Sequence, residues 1–190
     1  MDPLLHHMNQ YVTIDESGFA DIRDSFSLLH FDKKDYLLRA GDVCSRYFFV
    51  LSGCLHMYFI DEHGVSKTVQ FALENWWITD LQAFRKNAES TFFIQAVEAS
   101  HVMCINAGRY AELCQTNLAF ANYMREINEI GYGAALKRIR LMFDDSKEEI
   151  YTRFKDSFPQ FIQRVPQYLL ASFLGLTPEY LSKLRAKEVS

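Results

Sequence analysis

The residues whose types and spacing could do chemistry lie near the end of the chain, in LLASFLGLTPEYLSKLRAK, Leu169 to Lys187. Lys183, Arg185 and Lys187 carry positive charge, and Thr177, Glu179, Tyr180 and Ser182 carry short polar groups. Cations and hydrogen-bonding side chains on one helix face suit the phosphates and base edges of a DNA duplex. No comparable set points to catalysis, and no catalytic residue is assigned. His56, His63 and His101 are scattered, so no metal site or cofactor is assigned either. Cys44, Cys54, Cys104 and Cys114 stand apart, with no CxxC pair, and read as buried, reduced thiols.

To present that polar face, two helices must meet tightly. A helix-turn-helix needs a small residue at the contact, a glycine at the sharp turn and apolar residues closing a miniature core. Ala171, Gly175 and the series Leu170, Leu174, Leu176, Leu181 and Leu184 supply all three in register. Thr177-Pro178-Glu179 then opens a helix with a hydroxyl cap, proline at the first helical position and a carboxylate favoured by the helix dipole. In this arrangement Glu179, Tyr180, Ser182 and Lys183 are set to reach base edges and phosphates, and Arg185 and Lys187 to reach phosphates. The alternative is an ordinary helical hairpin using the same capping grammar. Charge favours the first reading. The net charge is −4, but up to Ile130 there are 10 Lys and Arg against 17 Asp and Glu, and from Gly131 onward 10 against 7. A basic C-terminal part is the electrostatic footprint of a nucleic-acid partner.

The 190 residues, 49% hydrophobic and 15% aromatic, can bury a substantial core in one large and one small unit. The opening MDPLLHHMNQYVTID has neither a basic start nor an apolar segment of signal length, and no later run is long enough to span a bilayer. A cytoplasmic protein with no membrane partner is expected. Phe19, Ile22, Phe26 and Leu29 fall at helical spacing, so short helices are expected over the first thirty or so residues. From Tyr36 the chain turns to aromatic and β-branched runs broken by Ser52-Gly53 and Glu62-His63-Gly64, which predict antiparallel strands in a jelly roll or small barrel.

After Asn106 the pattern is helical, in one long helix or two abutting ones. Leu113, Ala121, Met124, Ile127 or Asn128, Gly131 and Ala135 recur at steps of three and four. That stripe packs either on the protein's own sheet or, the preferred reading, on a second copy of the chain. The expected organisation is a sensory roll over 1–106, a dimerisation helix over 107–136 and a DNA-binding unit over 137–190.

The run AGD, RYFFVLSGCL and DEHG, a long helix, and RVPQYLLASFLGLTPEYLSKLR together resemble the Crp/Fnr transcription regulators over nearly the whole chain. The resemblance implies an α+β fold: an N-terminal antiparallel β-roll of the cyclic-nucleotide-binding type, a long central dimerisation helix and a C-terminal winged helix-turn-helix. It implies a homodimer on a two-fold-symmetric operator in double-stranded DNA. With the recognition helix running close to Ser190, the wing is expected ahead of it. The resemblance also locates the ligand cassette in ENWWITDLQAFRKNAESTFFIQA. Thr79-Asp80 stands where relatives that bind cyclic AMP have Gly-Glu, and Ser90-Thr91 where they have Arg-Ser. The arginine that pairs with the cyclic phosphate is therefore missing, and hydroxyls are a poor substitute for a guanidinium. Arg85 and Lys86, in an expected loop, are the only nearby replacements. A different small-molecule effector, or none, is expected. Trp77 is a candidate wall of the pocket, because only one of the adjacent Trp76 and Trp77 can face inward from a strand; core packing is the alternative. Two other functions are compatible with a β-roll: a cupin-type metal enzyme, and an adaptor that senses a small molecule without binding DNA.

Overall fold

The computed structural model describes residues 2–189. Two short helices open the chain, α1 (Pro3–Met8) and α2 (Glu16–Arg23), capped by the side chains of Asp2 and Asp15. The helical expectation stops there. Residues 27–31 form strand β1 (Ser27–Phe31), paired residue for residue with the last strand of the roll from Ser27 opposite Cys104 to Phe31 opposite Ser100. A local period of three or four gave way to the partner strand, as happens when tertiary pairing outweighs propensity.

The remaining strands are β2 (Tyr36–Leu38), β3 (Arg46–Ser52), β4 (Leu55–Ile60), β5 (Ser66–Ala72), β6 (Trp77–Ile78), β7 (Phe93–Ala96) and β8 (Ser100–Asn106). Every pairing is antiparallel, in two four-stranded sheets ordered β1-β8-β3-β6 and β2-β7-β4-β5. The β3–β4 turn carries Gly53 at φ +106°, and a Cβ there would sit 2.2 Å from the Ser100 hydroxyl oxygen. Only glycine fits that turn. Between β6 and β7 lies α3 (Leu81–Lys86), a helix where a strand end and loop were expected, nucleated by the Asp80 side chain on the Ala83 amide at 3.1 Å. Strand β3 is buried on both faces. Tyr47 and Phe49 meet the helices outside the sheet, while Phe48 meets Phe31 on the other side.

The helical half begins with α4 (Ala107–Thr116) and the 27-residue α5 (Leu118–Asp144), separated at Asn117, whose side chain caps α5. The expected apolar stripe splits in two. Leu113, Met124 and Ile127 are buried in the protein's own core, with Ala121 and Asn128 half-buried beside them. Gly131 and Ala135 are exposed, and several large apolar side chains left bare lie nearby: Tyr132 68%, Leu136 47%, Ile139 50% and Phe143 85% exposed. Among the described residues, the second half of α5 keeps an apolar face largely exposed.

Four helices follow: α6 (Lys147–Ser157), started by a capping box between Ser146 and Glu149, then α7 (Pro159–Arg164), α8 (Gln167–Leu174) and α9 (Pro178–Val189). Among the described residues no strand follows β8, so the wing expected ahead of the recognition helix is replaced by α6 and α7. These helices share a second hydrophobic core, and Cys54 and Val97 from the roll are part of it.

Candidate nucleic-acid interface and roll cassette

Helices α8 and α9 form the hook that the sequence pattern requires. Ala171, Leu170 and Leu181 are fully buried, and Leu174, Leu176 and Leu184 nearly so. Gly175 closes α8 in the left-handed conformation at φ +69°, and the Leu176 amide returns to the Ala171 carbonyl at 2.9 Å. That bond across the glycine is the usual way to satisfy the last carbonyls of a helix. The Thr177 hydroxyl accepts from the Tyr180 amide at 3.2 Å, and Gln167 of α8 donates to the Pro178 carbonyl at 3.5 Å. The start of α9 is therefore held from two sides.

With its leucines turned inward, α9 presents Thr177, Glu179, Ser182, Lys183 and Lys187 to solvent, with Tyr180 and Arg185 half-buried at the margins. The three cations differ. Arg185 leans on the hook, donating to the Ile162 carbonyl at 3.4 Å, and Lys187 stands 3.9 Å from Glu148. The Lys147 ammonium lies 6.0 Å from the Tyr180 ring, adding a cation from α6 to the same edge. Such a face offers donors and positive charge to a duplex without disturbing the core that supports it.

The cassette residues of the roll come together in the opposite sense. Thr79, Asp80 and Ser90 are buried within a hydrogen-bonded cluster, and Thr91 is exposed beside it. The Ser90 hydroxyl donates to the Asp80 carboxylate at 2.9 Å and accepts from the Phe92 amide at 3.0 Å. The Thr79 hydroxyl donates to the Arg46 carbonyl at 2.9 Å and lies 3.2 Å from the Cys44 sulfur. Burial pushes the Cys44 thiol up, so it stays protonated. Trp77 is elsewhere. Its ring packs on Tyr47 and Phe49 outside the sheet, and its Nε1 donates to the Tyr123 hydroxyl of α5 at 2.8 Å.

Residues 28–117 match the family model of the cyclic nucleotide-binding domain. Among solved structures, FixK2 of Bradyrhizobium japonicum aligns with a TM-score of 0.75 at 12% identity, over 85% of this chain and 83% of that one. The c-di-GMP-responsive global regulator CLP of Xanthomonas campestris aligns with a TM-score of 0.73 at 13% identity, over 91% of each chain. The catabolite activator protein of Thermus thermophilus aligns with 0.59 at 15% identity, over 98% and 86%. The chain shares the fold of these Crp/Fnr-type structures. No curated protein matches the sequence itself.

A Crp/Fnr-type roll implies a cyclic nucleotide, and the cassette residues do not fit one. Where a cyclic phosphate needs a fixed cation, the buried charge is the Asp80 carboxylate, already committed to Ser90 and the start of α3. Arg85 and Lys86 lie exposed at the far end of α3. An anion entering beside Asp80 meets like charge at reduced dielectric. As for metals, no group of three or more His, Cys, Asp or Glu side chains among the described residues is arranged to hold one. Among the described residues no helix is long and apolar enough to cross a membrane.

Three polar contacts were not legible in the sequence. In the first, Tyr123 accepts from Trp77 and shares a hydrogen bond with His7 Nδ1 at 2.7 Å, linking β6, α5 and α1 through buried side chains. Burial lowers the His7 pKa, which favours the neutral ring. In the second, Arg138 of α5 donates to the main-chain carbonyls of Thr68, Val69 and Phe173. In the third, Arg164 bridges Glu74 and Glu98. Each joins residues more than thirty positions apart, and no local pattern marks them.

Proposed function

We propose that the chain is a homodimeric, sequence-specific transcriptional regulator of the cytoplasm. In this reading it grips a two-fold-symmetric operator in double-stranded DNA with α9 and carries no catalytic activity. The observation that carries the reading is α9 itself, a capped helix anchored by Leu181 and Leu184 whose polar and cationic face is left to solvent. The exposed apolar second half of α5 supports the homodimer, since Leu136, Ile139 and Phe143 need a partner and an equivalent helix offers the same surface. The roll is a sensory domain whose pocket has drifted. With Asp80 buried at its centre, the cluster of Thr79, Asp80, Ser90 and Thr91 favours a neutral or cationic effector over cyclic AMP, or serves structure alone.

Glu179, Tyr180, Ser182 and Lys183 then read bases and nearby phosphates, Thr177 holds the helix start against the backbone, and Arg185 and Lys187 grip phosphates. Selection of bound fragments from a genomic library tests this. Alanine at Glu179, Tyr180 or Lys183 should relax the selected sequence, whereas alanine at Arg185 or Lys187 should weaken all fragments about equally. An unchanged selection profile in the first group would overturn the assignment. Failure of the unmodified protein to retain any fragment at low salt would favour the adaptor reading instead.

A further inference from the structure

The DNA-binding unit does not hang from α5 alone. Its core is completed by the roll: Phe71 of β5 packs edge-on against Phe161 of α7 and Phe173 of α8, at 5.0 and 5.3 Å between ring centres. Polar contacts surround that seat. Strand β5 is an edge of its sheet, and α8 takes two of its main-chain groups: the Thr68 amide donates to the Ser172 hydroxyl at 2.9 Å, which donates in turn to the Ser66 carbonyl at 3.0 Å. At the end of α7, Arg164 places its guanidinium between two carboxylates of the roll, 2.6 Å from Glu74 and bonded through Nε to Glu98 at 2.7 Å. Glu74 also takes the Gly53 amide at 2.8 Å, so the clamp is fixed to the tight β3–β4 turn.

We propose that Arg164 is a positioning residue for DNA reading: by clamping α7 to Glu74 and Glu98 it fixes the orientation of α8 and α9 on the roll before DNA arrives. This rests on the proposed function and adds to it that the roll governs the reading head directly, through its β5 edge and turns, and not only along α5. The docked position leaves the outer face of α9 exposed, so the contact orients the head without masking it. A head already oriented loses less rotational freedom on binding, and two such heads must fit two half-sites at once. Removing the clamp leaves the phosphate contacts intact and makes the fit less favourable.

The test uses the full chain with Arg164→Gln, and separately with Glu74→Gln plus Glu98→Gln, so that a folding failure in one leaves the other. Folding is checked by circular dichroism. Spin labels at Glu62→Cys and Thr152→Cys, in a Cys114→Ser background diluted with unlabelled protein, report the distance between roll and C-terminal unit within one copy. The expected result is a broadened distance distribution, and DNA affinity lower by about tenfold with an unchanged slope of log affinity against log salt. A slope reduced by about one contact would make Arg164 a phosphate ligand and overturn the proposal. So would an unbroadened distribution, or broadening with affinity unchanged or raised. If the unmodified protein retained no DNA, the function proposed above would fall, while the distances would still decide whether Arg164 holds the head in place.

Discussion

The roll cassette and the C-terminal hook use the same kinds of residue and turn them opposite ways. In the cassette, Thr79, Asp80 and Ser90 are buried and spend their hydrogen bonds on one another and on nearby main chain. In the hook, Thr177 spends its hydroxyl on the cap, and Glu179, Ser182 and Lys183 point outward. Buried polar groups that satisfy each other are structural, because leaving any of them unpaired is costly. Polar groups arrayed on a rigid surface retain bonding capacity for a partner. Two segments that the family resemblance marks as functional have thus separated, one absorbed into the fold and the other still presented.

The comparison breaks most sharply at the inner face of the hook. Leu181 is fully buried between α8 and α9, and Leu181→Ala is expected to cost about 2–5 kcal/mol of stability in urea unfolding. A loss below about 1 kcal/mol would mean that the α8–α9 core is not what holds the outer face of α9 in place. DNA binding should fall with it, in parallel with the folded fraction.

Next in size is the cassette. Asp80 holds the Ala83 amide and receives the Ser90 hydroxyl, so Asp80→Ala should lower stability by about 1–2 kcal/mol. If the two side chains work as one structural unit, the double variant with Ser90→Ala should show a coupling of about 0.5 kcal/mol or more. Additive losses would mean that the cluster is not satisfied internally and that its bonding capacity remains open to a ligand.

Much of this architecture was legible in sequence, for physical reasons that also explain where it was not. Gly175, Thr177-Pro178 and the leucine series act locally, so the hook could be read residue by residue. The turns at Gly53 and Gly64 also show, since both glycines take positive φ, +106° and +76°. Strand β1 was missed because Phe26 and Leu29 keep a helical spacing over a stretch too short to decide, and only β8 settles it. The strand at Trp77–Ile78 was expected, but helix α3 was missed, because the role of Asp80 as a cap depends on a turn that the apolar run Trp76 to Ile78 conceals. The α5 stripe was read as continuous because Met124 and Leu136 look alike in sequence; which half is covered depends on where the roll ends. The clamp of Arg164 with Glu74 and Glu98 spans separations of 90 and 66 residues and has no local signature.

The mildest test separates the two regions by pH. All six histidines lie at or before His101, so none belongs to the hook. His7 and His56 are buried, and burial lowers both pKa values from 6.5, with a bond to Gln95 partly opposing this at His56. A lowered native pKa means that the unfolded chain binds protons first. The stabilisation is therefore complete above about pH 6.5 and is lost as pH falls toward the native values. Between pH 7 and pH 6 the loss is at most about 0.7 kcal/mol per histidine. Glu74, which Arg164 holds at about 2 against an ordinary 4.5, adds its own loss only below about pH 4.5, so it contributes nothing to a change between pH 7 and pH 6. His7→Phe and His56→Phe together should flatten the upper window in chemical unfolding at a series of pH values. A slope that persists between pH 7 and pH 6 in the double variant would place the titrating groups outside the buried part of the roll. Because His56 stacks on Phe71, and Phe71 seats Phe161 and Phe173, protonating His56 acts on the surface where the roll carries α7 and α8. Acid should therefore loosen the seat of the hook before the hook itself, whose leucine core contains nothing that titrates.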